Sequence, residues 1–148
     1  MSLENTINEA IKTAMRAKDK VALDSLRAVK SQILLLKKES LDAEVSAEQE
    51  IAILQRMVKQ RKDSYDQFSA QGRNDLAEVE EAQIKVIEQF LPKQLSTEEL
   101  EAEMKNIIAE TGAESMKDLG KVMGIASKSL AGKSDGKSIS EMAKKLLS

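Results

Sequence analysis

The stretch Ile87-Glu88-Gln89-Phe90-Leu91-Pro92-Lys93-Gln94-Leu95-Ser96-Thr97-Glu98-Glu99-Leu100 decides how the chain is organised. Pro92 is the only proline. It lacks an N–H and disfavours helical geometry at Leu91, so a helix arriving from upstream must stop there. Four residues later Ser96 and Glu99 form a capping box, in which the serine hydroxyl accepts a first-turn N–H and the glutamate reaches back to the serine N–H. The residues therefore predict two helical units, 1–91 and 92–148, joined by a short linker from Leu91 to Leu95.

Upstream of this junction apolar residues recur with helical period. Leu3, Ile7, Ile11 and Met15 mark a first helix that ends near Ala17-Lys18-Asp19. Leu26, Val29, Ile33 and Leu36 mark a second, from about Val21 to Leu41. Ser46 and Gln49 form another capping box, opening a third helix with Ile51, Leu54, Val58, Tyr65 and Phe68 on one stripe. Gly72 is a natural stop, because glycine accepts the left-handed conformation that ends helices. A fourth helix then carries Leu76, Val79, Ile84, Val86, Ile87 and Phe90. Downstream, Leu100, Met104, Ile107 and Ile108 predict a helix ended by Gly112. Ser115 caps a short helix with Met116, Leu119, Val122 and Met123. Gly132 to Lys137 reads as a loop, and Ile139, Met142, Ala143, Leu146 and Leu147 predict a last helix.

The fold class is therefore all-α: an N-terminal bundle of about four helices and a small C-terminal helical domain. Composition agrees. Hydrophobic residues make up 41% of 148 and aromatics only 2%, so the core must be built from Leu, Ile, Val, Ala and Met, a set that favours helices over strands. Cysteine and histidine are absent, which removes thiol chemistry, iron–sulfur ligation, the commonest general base and the commonest zinc ligand. No cofactor or metal is expected. The longest apolar run, Ile33-Leu34-Leu35-Leu36, is far short of the roughly 20 residues that span a bilayer, so no membrane role is expected. With no apolar leader segment and no cysteine, the cytoplasm is the expected compartment.

Charge is unevenly distributed. Residues 112–148 hold seven lysines against four carboxylates and five of the six glycines, a net charge of +3; the other 111 residues carry a net −5. Lysines suit nucleic-acid phosphates, and glycines let a backbone approach another surface closely. Other motifs read as ordinary structure. Gly132-Lys133-Ser134 lacks the earlier glycine of a phosphate loop, since that position is Ser127. Pairs such as Glu80-Glu81 read as solvated helix faces, because a di-iron bundle site needs histidine. The basic residues Arg56, Lys59, Arg61 and Lys62 read first as an exposed helix face and second as a contact for a phosphate or a partner.

Five stretches together resemble the YqeY family: Lys59-Gln60-Arg61-Lys62-Asp63-Ser64, Ala70-Gln71-Gly72-Arg73-Asn74-Asp75-Leu76-Ala77, Phe90-Leu91-Pro92-Lys93-Gln94-Leu95-Ser96, Asp118-Leu119-Gly120-Lys121-Val122-Met123-Gly124 and Gly132-Lys133-Ser134-Asp135-Gly136-Lys137. The likeness runs in order along nearly the whole chain; it departs at Ser134, where the family pattern has Ala or a similar small residue. It implies a C-terminal domain similar to the tail of GatB, a subunit of the glutamine-dependent amidotransferase that acts on Glu-tRNA(Gln) and Asp-tRNA(Asn). That tail contacts tRNA, while the carbon–nitrogen ligase chemistry belongs to other domains. The resemblance thus implies a non-catalytic accessory protein with no catalytic cradle of its own, while the residues leave open an enzyme acting through Lys, Asp, Glu, Ser, Thr, Arg or Tyr65. Its implied partners are tRNA and amidotransferase or aminoacyl-tRNA synthetase components, with RNA contacts at Lys121, Gly124, Lys128, Lys133, Gly136 and Lys137. The alternative is a protein–protein adaptor with no RNA role, using the Leu26 to Leu36 stripe.

Overall fold

A computed structural model describes residues 2–39 and 44–148. Among the described residues the fold is all-α: α1 Leu3–Ala17, α2 Lys20–Glu39, α3 Ala47–Ala70, α4 Asn74–Glu88, α5 Thr97–Thr111, a 3-10 turn at Met116–Asp118, α6 Leu119–Ser129 and α7 Gly136–Leu147. Leu41, the expected end of the second helix, lies outside the described residues. The chain divides into two compact units, Met1–Leu91 and Pro92–Ser148.

In the first unit α1 packs along α2, α3 along α4, and α2 also meets α3 and α4. The buried cluster is made of Leu3, Ile7, Ala14, Leu26, Val29, Ile33, Ile53, Leu54, Met57, Val58, Ile84 and Ile87, with Phe90 and Leu91 packed partly against it. Met15, expected on the core stripe of α1, is 55% exposed, and Ala14 is buried in its place. The reason is helical drift. A strict four-residue spacing advances about 40° too far per step, so by Met15 the stripe has turned some 120° away from Leu3. Val79 of α4 is likewise exposed, and Ala77 takes the core position.

Local chemistry sets the helix ends. Ser46 and Gln49 exchange both bonds of their capping box, as do Ser96 and Glu99. The α1–α2 connection is only two residues long. Lys18 takes the left-handed conformation at φ 56°, and the Asp19 side chain accepts the Ala22 N–H at 3.0 Å. A lysine in that conformation is strained by its Cβ, and nothing in the sequence marks it. Further ties join the helices: the Leu3 N–H donates to Glu50 Oε2 at 3.2 Å, and Lys37 pairs with Glu4.

In the second unit α5, α6 and α7 pack mutually, burying Leu100, Met104, Ile107, Val122, Ala126, Leu130, Ile139, Met142, Ala143 and Leu147. Gly112 ends α5 at φ 70°. The expected loop from Gly132 to Lys137 is shorter than its sequence suggests. Asp135 accepts the Ser138 N–H at 2.7 Å as an N-cap, so Gly136 and Lys137 are the first residues of α7 and not loop.

Two outcomes test this packing. Met104, fully buried, and Met15, largely exposed, should respond differently to truncation: Met104→Ala is expected to lower unfolding free energy by about 2–5 kcal/mol and Met15→Ala by less than about 0.5 kcal/mol, read from urea denaturation. The Ser96 backbone N–H holds the Glu99 carboxyl below its ordinary value. A depressed carboxylate stabilises the fold above its unfolded pKa and loses that contribution as pH falls through the folded value. Thermal melts taken from about pH 7 down to pH 3 should therefore show a smaller acid loss for Glu99→Gln than for wild type.

Candidate nucleic-acid interface

The second unit as a whole is electrically balanced, with nine lysines and nine carboxylates. Its charges are segregated by element. Five of the carboxylates (Glu98, Glu99, Glu101, Glu103 and Glu110) lie on α5, while Lys117, Lys121, Lys128, Lys133, Lys137, Lys144 and Lys145 follow it. All seven of these lysines are exposed. Among the described residues none of them forms an ion pair, whereas Lys105 of α5 pairs with Glu101 at 3.3 Å.

Packing of α6 determines what it offers outward. Val122 and Ala126 turn into the core. Gly120, Gly124 and Ser127 consequently lie on the opposite, exposed face. Lys121 and Lys128 flank this face on one side, two turns or about 10 Å apart along the axis. The Lys121 ammonium also donates to the Thr111 carbonyl at 3.2 Å. It thereby satisfies a C-terminal carbonyl of α5, where a cation suits the negative end of the helix, and two of its three donors remain. Lys133 occupies the turn between α6 and α7, and Gly136 and Lys137 form the first turn of α7. The six predicted contact residues thus fall on α6, on the turn that follows it and on the start of α7.

The glycines differ in why they are glycine. Gly112 and Gly132 have φ 70° and 79°, where a side chain is strained. Gly124 and Gly136 have no positive φ, and a Cβ added at either would meet nothing within 4 Å. Neither backbone conformation nor packing within the chain demands glycine there. A glycine inside a helix is less stable than alanine by about 0.5–1 kcal/mol, so Gly124 destabilises α6 without a structural return.

Three of the four basic residues singled out on α3 are engaged in structure. Arg56 donates to Gln32 Oε1 of α2 at 3.1 Å. Arg61 donates to Gln83 Oε1 of α4 at 3.0 Å and to the Met57 carbonyl at 3.3 Å, and Lys62 lies 3.9 Å from Glu88. These side chains tie α3 to its neighbours, as the periodicity of α3 alone did not reveal. Arg73 and Asp75 pair side by side at the α3–α4 turn through two bonds of 3.2 Å, which raises the guanidinium pKa and lowers that of the carboxyl. In the leucine-rich stretch of α2, Leu26, Val29 and Ile33 are core, whereas Leu34 and Leu35 are 46% and 53% exposed. Among the described residues no three potential metal ligands come together, and no helix is long and apolar enough to cross a membrane.

The sequence pattern described as Yqey-like protein matches residues 4–147. Similar proteins include altered inheritance of mitochondria protein 41, mitochondrial, of Lachancea thermotolerans, 31% identical over 109 residues, which are 70% of this chain and 57% of that protein. The protein of the same name from Meyerozyma guilliermondii is 38% identical over 90 residues, 59% of this chain and 45% of that protein. That from Clavispora lusitaniae is 30% identical over 115 residues, 76% of this chain and 66% of that protein. The chain spans about half the length of the first two of these relatives. Their names correct the expectation of a cytoplasmic protein, because these relatives are named as mitochondrial. The physical reason is that an absence of cysteine fits any compartment that keeps thiols reduced and does not distinguish between such compartments. The matched pattern covers nearly every residue, both helical units included, and on that ground the chain belongs to the YqeY family.

Proposed function

We propose that this chain is a non-catalytic accessory protein whose C-terminal unit binds tRNA, working beside a glutamine-dependent tRNA amidotransferase or an aminoacyl-tRNA synthetase. The observation that carries the reading is the outer surface of α6 and the turn after it. Lysines that are exposed and form no ion pair among the described residues surround glycine positions that the fold itself does not need. A phosphate backbone is a ligand that rewards both features, since it takes charge from lysine and comes closest where no Cβ intervenes. The GatB-tail character that the family motifs imply for this unit points to the same ligand.

The residues also define the manner of contact. Residues 92–148 contain no Phe, Tyr, Trp or Arg. Base stacking on aromatic rings and bidentate arginine–guanine readout are therefore unavailable to this unit. Lysine ammonium groups act as point charges on phosphates, so affinity should depend strongly on salt and weakly on base sequence. The exposed Leu34 and Leu35 favour a second reading, a protein adaptor using α2. The two readings part on nuclease treatment: partners captured by the full chain through RNA are lost, and those held by α2 are kept.

Two expected outcomes follow from the phosphate reading. In anisotropy titrations with a tRNA transcript, affinity should fall steeply between about 50 and 200 mM salt. Lys121→Ala, Lys133→Ala and Lys137→Ala should each weaken binding and reduce the salt slope by about one. Absence of binding at the lowest salt, or indifference to all three substitutions, sinks the proposal. Gly124→Ala should raise stability by about 0.5–1 kcal/mol while weakening tRNA binding; equal or tighter binding would show that the glycine does not serve backbone approach.

A further inference from the structure

The residues just after Pro92 are bonded to the turn that carries Lys133. Gln94 Nε2 donates to the Gly132 carbonyl at 2.6 Å and to the Pro92 carbonyl at 2.8 Å. With two carbonyl oxygens as partners, the amide must present its nitrogen there, and both of its N–H bonds are engaged. The Leu95 N–H donates to the Lys133 carbonyl at 2.9 Å. Within the turn, the N–H groups of Lys133 and Ser134 both reach the Leu130 carbonyl, at 3.0 and 3.4 Å.

Gly132 is buried and sits at φ 79°, a conformation that favours glycine. The turn is thus given one shape by its own bonds, and the ties to Gln94 and Leu95 set where that shape lies. Lys133 is held at its backbone while its side chain stays exposed. A cation mounted on a fixed backbone loses less freedom when it meets an anion, and so binds it more tightly.

Resting on the RNA reading above, we propose that Gln94 is a positioning residue: by bridging the carbonyls of Pro92 and Gly132 it fixes the turn from which Lys133 reaches a phosphate of the bound RNA. Gln94 touches no RNA in this assignment and acts through Lys133. Its effect is therefore specific to that lysine and leaves Lys121, on the body of α6, alone.

The test is a double-mutant cycle on the full chain, read by anisotropy with a tRNA transcript across a KCl series. Gln94→Met keeps the side-chain length and removes both donors without adding charge. It should weaken binding roughly fivefold and lower the salt slope, but cost no further affinity in the Lys133→Ala background. Combined with Lys121→Ala, its effect should simply add. A merely structural role would reduce affinity by the same factor in the Lys133→Ala background, and that result overturns the assignment. Hydrogen exchange at the Leu95 amide, measured without RNA, reports whether the tie is broken. Faster exchange with unchanged RNA affinity also overturns the assignment while leaving the RNA reading intact. If wild type fails to bind tRNA, the RNA reading falls and this assignment falls with it.

Discussion

Each helix of this protein is held by burial of one aliphatic stripe, and the near absence of aromatic residues makes that burial exacting. Among the described residues the fully buried members of both clusters include no ring, and Phe90 only packs partly against the first. A Leu, Ile, Val or Met side chain contributes about 1.5–3 kcal/mol when fully removed from water, so many such contacts must be made at once and none dominates. The consequence is visible in α1. A four-residue spacing drifts off the contact line, and the small Ala14 fills the position that Met15 misses.

Polar side chains then fix where the stripes begin and end. Two serine capping boxes, the Asp19 and Asp135 caps and the left-handed residues Lys18 and Gly112 satisfy end groups that the helices cannot satisfy internally. The arginines of α3 extend this work sideways, onto glutamines of α2 and α4. In the second unit such polar ties meet the candidate interface. Lys121 caps the end of α5, and the turn bearing Lys133 is tied to Gln94 and Leu95. The groups proposed to meet phosphate are thus also groups that the fold holds in place.

Charge in this unit is segregated by element. A balanced total conceals an acidic α5 and a basic remainder. The carboxylates lie mainly on one helix and the lysines on the elements that follow it, and exposed charges further apart than a Debye length, about 8 Å at physiological salt, are largely screened from one another. The lysine-bearing helices α6 and α7 also carry the open glycine positions Gly120, Gly124 and Gly136.

What the amino-acid sequence determined by itself was local. Helical period, capping boxes and the proline stop depend on residues within a turn or two of one another. The all-helical class, the core residues Leu26, Val29, Ile33, Leu100 and Met104, and the concentration of lysine and glycine after residue 112 were legible for that reason. The N-cap at Asp135 was local too, but it was masked by a run of glycine and lysine that reads equally well as loop. Other features depended on partners distant in sequence. Whether Arg56 and Arg61 face solvent or another helix, and whether Gly124 is glycine by constraint or by choice, follow from how the helices pack. The tie from Gln94 to Gly132 spans 38 residues. It exists because burial of α5, α6 and α7 against one another brings those two segments within hydrogen-bond reach, and no periodicity along the chain encodes that distance.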